Sequence, residues 1–366
     1  MTYLDYQATT PLAPEALAAM LPWLAEQHAN PHSAHRAGRA ARAAVEVARD
    51  AVAALLPPGG TVAFTSGATE ALNWAIKGTA GPIVTLASEH AAVLDTVAAE
   101  AAHGRAVTVL PVGADGLVDL DRAAEAIRPG TSGQRGGLVA AMLVNNEIGV
   151  IQPIAALADL AHAAGALMLC DAVQGYGRVP IPAGCDLVAV SAHKVHGPKG
   201  VGALWMRYGV APAPLLHGGG QEPGRSGTLS PALCAGFGAA ARLMRERGEG
   251  DATHVERLFA LARERLGDWT VNGSLARRYP GNLNVRCAGL DVARLMSDLR
   301  DIAFSAGSAC ASGSGRPSHV LGAIGLSAAD ARSSIRLGFG RYTTEDELMA
   351  ALDRIDAVAA MQRVAA

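Results

Sequence analysis

Residues 64–78 read FTSGATEALNWAIKG, a strand that runs into Ser66-Gly67-Ala68-Thr69 and then into a helix. A helix that starts this way directs its free backbone N–H groups and the positive end of its dipole at one point, which makes a seat for a phosphate. A plain strand-to-helix turn capped by Ser or Thr has the same local sequence. No GK[ST] follows, so the phosphate loop of nucleotide hydrolases is excluded. Outward from this turn, short apolar strand candidates alternate with helical stretches: Val62 to Thr65, Ile83 to Ala87, Val107 to Pro111, Leu138 to Val144, Leu167 to Cys170 and Leu187 to Ser191. That alternation predicts an α/β fold with a parallel sheet wrapped by helices, and reactive groups at the carboxyl ends of the strands. Upstream, Ala16 to Trp23 and Gly38 to Leu56 read as helices, the second stopped by Pro57-Pro58-Gly59-Gly60. Downstream, the proline- and glycine-rich run from Ala211 to Thr228 is a loop or crossover, and Pro231 to Arg247 reads as a long helix. Asn282 to Arg286 and Ser333 to Phe339 are elements of a second, smaller domain.

The chain has 366 residues, half of them hydrophobic and 17% charged, which suits a large domain plus a smaller one and excludes disorder. A formal charge of -2 and a pI near 6.6 give no footprint for nucleic acid. The start, MTYLDYQATTPLAPEAL, is not built as a secretory signal, and runs such as Ala166 to Cys170 are far shorter than a membrane span. A soluble cytoplasmic protein is expected. Five cysteines without CxxC pairs do not suggest a disulfide framework, and Cys170 and Cys234 read as buried structural thiols.

Several side chains stand where chemistry would need them. Asp171, in LMLCDAVQ (167–174), follows a strand candidate, where a carboxylate could pair with a protonated ring nitrogen such as that of pyridoxal phosphate, or simply cap a helix. Lys194, in DLVAVSAHKVHGPKGVG (186–202), sits where a strand candidate meets a polar loop; partly desolvated and near other cations, its amine could act as a nucleophile. His90, in LASEHAAVLD, could stack on a flat cofactor or carry protons, or else cap a helix. His28, His32 and His35 have spacings that suggest a metal, but Asn30-Pro31 interrupts any helix that would align them, so no metal site is expected. Cys310 lies in SAGSACASGSGRPS (305–318), a run of small residues in which a thiol is better explained as reactive than as packed.

Taken in order, YLDYQATTPL, NPHSAHRAG, FTSGATEALNWAIKG, VNNEIGV, DAVQ, SAHKVHGPKGVG, HGGGQEPGRSGT, SAGSAC and SSIRLGFGRYTTEDE span nearly the whole chain and closely resemble the cysteine desulfurases of the NifS and IscS group. The resemblance implies the pyridoxal-phosphate-dependent fold type I, aspartate-aminotransferase-like and class V, with a mainly parallel sheet in the large domain and a smaller C-terminal α+β domain. On that basis residues 16–240 form the large domain, and 1–15 with 241–366 the small one. It also implies a homodimer with active sites at the subunit interface. Lys194 matches the lysine that carries the cofactor, Asp171 the partner of its ring nitrogen, and His90 the histidine stacked on its ring. Ala68, Thr69, Ser191 and His193 match phosphate-binding positions, and Thr228 the residue that reaches the phosphate of the neighbouring subunit. Asn146 and Gln174 match residues near the ring hydroxyl, with Asn146 also at the substrate, and Arg336 matches the arginine that holds the substrate carboxylate.

The activity so implied converts L-cysteine to L-alanine and leaves the sulfur on Cys310 as a persulfide, for delivery to an acceptor protein such as an iron-sulfur scaffold, or to another thiolation pathway. Two intervals, Gly220 to Thr228 and Asp171 to Lys194, look shorter than the family pattern, and the chain ends soon after Met361, without the longer tail that IscS-type members use to dock the scaffold. A selenocysteine lyase or an aminotransferase of the same fold is an alternative, though an aminotransferase needs no nucleophilic thiol. A non-catalytic sulfur-relay partner is an alternative of another class.

Overall fold

A computed structural model describes residues 1–128, 136–306 and 318–364. The chain opens with β1 (Thr2–Tyr3), α1 (Pro14–Ala25) and α2 (Arg36–Ala53). It then alternates through β2 (Gly60–Thr65), α3 (Ala68–Gly78), β3 (Ile83–Leu86), α4 (Ala91–Ala102), β4 (Val107–Leu110), α5 (Leu120–Ala126), β5 (Leu138–Met142), α6 (Ile154–Ala163) and β6 (Leu167–Asp171). β7 (Leu187–Ser191) and β8 (Gly202–Arg207) complete a seven-stranded sheet in the order β2-β8-β7-β6-β5-β3-β4.

Strands β5 and β7 are buried along their whole length, as strands covered on both faces must be, and they read as unbroken apolar runs. The period of two divides them between two cores. Val139, Ala141, Cys170, Val188 and Val190 face one helical layer, while Leu138, Ala140, Leu169, Leu187 and Ala189 face the other. The sheet is mainly parallel, as expected, with one exception: β8 runs antiparallel between β2 and β7. Its sequence, GALWMR, follows a glycine-rich turn closely and carries no turn signal of its own that separates a return strand from a crossover.

The polypeptide leaves this sheet through α7 (Pro231–Arg265), followed by β9 (Thr270–Val271), β10 (Asn282–Arg286), α8 (Val292–Asp298), β11 (Ile302–Ala303), α9 (His319–Ala323), α10 (Ala328–Arg332), β12 (Ser334–Gly338) and α11 (Glu345–Val364). The helix expected to end at Arg247 therefore continues for five more turns. Gly248 and Gly250 favour a stop, each costing up to about 1 kcal/mol within a helix. Val255, Leu258 and Ala262, one helical stripe, outweigh them by burying into a second core with Leu283, Val285, Ile335, Leu337 and Leu352. β9, β10 and β12 form an antiparallel three-stranded sheet on this core. β1 pairs with β11 in a separate two-stranded sheet, and the Leu4 side chain is buried in the same core. The N-terminal strand thus starts among C-terminal elements, and residues just after it cross to the edge of the large sheet.

Candidate functional site

Where that crossing occurs, a cavity of about 710 Å³ opens at the carboxyl edge of the seven-stranded sheet. Strand β2 delivers Ser66 to Thr69, β3 delivers His90, the turn after β5 delivers Asn146, β6 ends on Asp171, and β7 delivers Ser191, His193 and Lys194. Gln174 and Arg336 complete the expected residues on its wall, Arg336 reaching in from β12. Thr228, expected at the phosphate of the neighbouring subunit, is exposed and does not line its own chain's cavity, and Cys310 lies outside the described residues.

Helix α3 begins at Ala68 with Gly67 as its cap and no side-chain bond to its leading amides. The capping alternative for Ser66 and Thr69 therefore does not apply. A Cβ added to Gly67 would meet nothing within 4 Å, so this turn faces open space. On the other side it rests directly on β8: a Cβ on Gly202 would come to 2.7 Å from the Gly67 backbone. The turn is also tied to the crossover, because Glu70 accepts from the Ser66 N–H at 2.7 Å and from Arg225 Nε at 2.9 Å. Burial raises the Glu70 pKa, but these two donors outweigh it and hold the carboxylate below its ordinary value. The crossover is anchored again at Glu222, which is buried, bonded twice to Arg49 at 2.7 Å and bonded to the Phe64 N–H at 2.7 Å.

Lys194 closes a single 3₁₀ turn after β7. Its Nζ donates to the carbonyls of Gln7 at 2.5 Å and Ala8 at 2.9 Å. Burial, then the charges of Arg336 and Arg178, lower its pKa from 10.5 to about 8, against the pull of Asp171 and Asp5. Asp171 moves the other way: burial raises it to about 6, opposed by the Val173 N–H, which Oδ1 accepts at 3.0 Å, and by Lys194. The cap it supplies is to a turn, since no helix follows β6 directly. The two groups so share a dry site in which the amine gives up its proton more readily and the acid holds its proton more tightly than in water.

Two histidines are set by geometry. His90 caps α4, with Nδ1 accepting from the Ala92 N–H at 3.0 Å, so the neutral ring carries its proton on Nε2. Burial, then Lys194 and His319, lower its pKa. Both readings of His90 therefore hold, since it caps a helix and also lines the cavity. The His193 Nδ1 lies 3.2 Å from Thr9 Oγ1, and burial followed by Lys194 and Lys199 lowers its pKa to about 4. A ring held neutral in this way can donate a hydrogen bond without adding charge.

Arg336 is almost fully buried and fixed by Asp5 at 2.7 Å, Ser305 Oγ at 3.1 Å and the Asn146 carbonyl at 3.1 Å. Its Nε has no partner among the described residues, nor do Asn146 Oδ1 and Gln174 Oε1. Three buried polar atoms left open around one cavity are expected where a polar ligand completes them. Gln174 is itself oriented by donating to the Gln7 carbonyl at 2.9 Å.

Some wall residues carry no sequence signal of their own. Gln7 and Ala8 act through backbone carbonyls, which no side-chain motif announces, although YLDYQATTPL contains both. Glu89, next to His90, is fully buried behind the wall; Oε1 accepts from the Met142 N–H at 2.9 Å, and Oε2 is unpartnered among the described residues. Burial, with Asp171 adding to it, pushes Glu89 well above the usual carboxylate range. Glu147 and His319 also line the cavity. Among the described residues, no group of His, Cys, Asp and Glu side chains could hold a metal ion, and no helix is long and apolar enough to cross a membrane.

Comparison with known proteins places this architecture. The "Cysteine desulfurase IscS" of Rickettsia rickettsii (strain Iowa) is 41% identical over 372 residues, covering 96% of this chain and 90% of that one. The "Cysteine desulfurase, mitochondrial" of Eremothecium gossypii is 45% identical over 94% of this chain and 73% of its own length. A solved structure described as a NifS-like protein superposes with a TM-score of 0.89 at 32% identity, over 98% of this chain and 99% of its own. The family described as "Aminotransferase class-V" matches residues 2–350. The chain belongs to the class-V aminotransferase family and, within it, to the group of the NifS- and IscS-like proteins.

Proposed function

We propose that this protein is a pyridoxal-phosphate-dependent cysteine desulfurase, which converts L-cysteine to L-alanine and leaves the sulfur on Cys310 as a persulfide. The observation that carries the reading is the Lys194–Asp171 pair in one cavity, with the lysine pKa drawn down to about 8 and the acid pushed up to about 6. The residues present fit the cofactor: α3 opens uncapped amides on empty space at Gly67, and Asn146 Oδ1 and Gln174 Oε1 have no partners among the described residues. Ala68, Thr69, Ser191 and His193 would hold its phosphate, Asp171 its ring nitrogen, His90 its ring face, and Asn146 with Gln174 its hydroxyl. When bound, pyridoxal phosphate supplies an electron sink that stabilises negative charge developing on the substrate.

The rest is the work of the chain's own groups. Lys194 Nζ, neutral in a useful fraction near pH 8, would hold the cofactor and is placed to serve as the base that takes the substrate's α proton. Arg336 holds the substrate carboxylate, and its anchors at Asp5 and Ser305 keep the guanidinium from following the ligand. Asp171, ionised above about pH 6, would keep the ring nitrogen of a bound cofactor protonated. Cys310, as thiolate, attacks the substrate sulfur; the S–S bond forms as the C–S bond breaks, and the electron pair returns to the carbon that is protonated to alanine. On this reading the protein is a cytoplasmic homodimer, with residues 16–240 as its large domain and 1–15 with 241–366 as its small one. Thr228 completes the phosphate site of the partner subunit, and an acceptor protein, such as an iron-sulfur scaffold, takes the sulfur onward.

The test is incubation of the cofactor-loaded protein with L-cysteine and a reductant. Equal amounts of alanine and sulfide are expected, and the Cys310→Ser variant should bind cofactor but release neither. Alanine formed at the parental rate by Cys310→Ser would remove Cys310 from the reaction.

A further inference from the structure

L-Cysteine has three functional groups. In the proposed function, on which this inference rests, the cofactor anchored at Lys194 would take the amino group, and Arg336 holds the carboxylate. The thiol is left without a partner on the cavity wall. His319, at the first position of α9, lines the same cavity and is an exposed residue. Its Nε2 lies 2.8 Å from the backbone carbonyl of Glu89. A carbonyl can only accept, so in the neutral ring Nε2 holds the proton, and Nδ1 is a lone pair. No described residue occupies that lone pair. His90 is the reverse case, since its Nδ1 is taken by the Ala92 N–H and its proton is on Nε2. The cavity thus has two imidazoles set differently, one presenting an N–H and the other a base.

The placement of His319 is built. Ser318 caps α9, accepting from the Leu321 N–H at 3.1 Å while its hydroxyl donates to the Glu147 carboxyl. Burial raises the Glu147 pKa, and Ser318, His319 and Arg336 draw it down, so this carboxyl feels the charge of the His319 ring. The other charged and titratable groups on the wall include His90, Lys194 and Arg336, and the His90 pKa is lowered by burial, then by Lys194 and His319.

We infer that His319 is the proton acceptor for the substrate's thiol. As the Cys310 thiolate attacks and the C–S bond breaks, the S–H proton passes to Nδ1, its electron pair stays on the outer sulfur of the persulfide, and the resulting imidazolium is offset by Glu147. This geometry also orients the sulfur, because the hydrogen bond to the Glu89 carbonyl sets the direction of the ring.

Two variants test the assignment in the cofactor-loaded enzyme. His319→Gln can keep an N–H for the Glu89 carbonyl but lacks the lone pair. It should lose roughly 100-fold in kcat/KM for L-cysteine, the scale of a lost proton acceptor. Its binding of L-alanine, which has the amino and carboxylate groups but no thiol, read from the cofactor absorption, should stay within about twofold, well short of that loss. His319→Ala should show a similar loss, partly restored by added imidazole, which can enter through the open cavity. Parental turnover in His319→Gln, an equal loss of alanine binding, or no rescue by imidazole would each overturn the assignment. A parent enzyme that makes no alanine from L-cysteine would instead sink the functional reading, before either variant is compared.

Discussion

Asp171 shows what the site costs the fold. Its carboxyl has a pKa of about 6 in the folded chain against an ordinary 3.8, so the folded state binds its proton more tightly than the unfolded one. The sign follows: the proton's stabilising contribution is complete below 3.8 and is lost as pH rises through about 6, where a buried charge must form. A rise of that size corresponds to at most about 3 kcal/mol. Asp171→Asn is therefore expected to melt at a higher temperature than the parent when both are cofactor-free at pH 8, with the gap closing toward pH 4, and to lose turnover on loading. A lower melting temperature at pH 8 would show that the charge is compensated in the fold. Lys194→Ala tests the other half of the pair. No other lysine ends a strand at this wall, so borohydride should trap no covalent cofactor on that variant, and a trapped adduct would reassign the anchoring residue. Lys194, Asp171 and His90 are legible in the sequence because each follows closely on an apolar run, where a charged or imidazole side chain has little other reason to be. Glu89 and Glu147 are not, since a carboxyl's burial depends on strands far apart in sequence: the N–H that Glu89 accepts comes from Met142.

At the scale of elements, β8 carries more of the site than its plain sequence suggests. Gly202 lies under the Gly67 turn, and a Cβ there would stand 2.6 Å from the Val190 carbonyl and 2.7 Å from Gly67. All of these contacts are with backbone, so the strain has no flexible side chain to absorb it. Gly202→Ala is expected to cost about 1–3 kcal/mol of stability and to weaken pyridoxal phosphate binding together with it, measured by denaturant unfolding and by cofactor titration. Stability lost with cofactor affinity intact would mean that the turn moves independently of β8. In α7 the reverse holds. Gly250 is exposed in mid-helix with nothing within 4 Å of an added Cβ, so Gly250→Ala should stabilise the protein by about 0.5–1 kcal/mol. An unchanged melting temperature would show that the backbone freedom of Gly250 does not limit the stability of the fold. The same residue explains why the sequence predicts too short a helix. Local propensity is visible along the chain, whereas the burial of Val255, Leu258 and Ala262 against β10 and β12 is a tertiary fact. The parallel strands are readable for the opposite reason, being apolar throughout, while β8, equally apolar, carries no cue to its direction.

For the whole molecule, the open question is whether one chain makes one site. The crossover from 217 to 228 is tied down at Glu222 by Arg49 and at Arg225 by Glu70, so it is held against its own sheet. Yet Thr228, two residues beyond Ser226, remains exposed and away from the cavity that its own chain builds. In the proposed two-fold dimer, each Thr228 would serve the other subunit's phosphate seat. Complementation tests this. Thr228→Asp sets a carboxylate against a phosphate and should be inactive, as should Lys194→Ala. If each site takes Lys194 from one subunit and Thr228 from the other, a mixed dimer of the two variants has one site with both defects and one with neither. Random pairing puts about half of the chains into mixed dimers, each with one working site of two, so co-expression should restore about a quarter of parental activity. Sedimentation should find a dimer at the concentration assayed. A Thr228→Asp protein with full activity, or a mixture that stays inactive while its mixed dimers form, would show that each chain completes its own phosphate site.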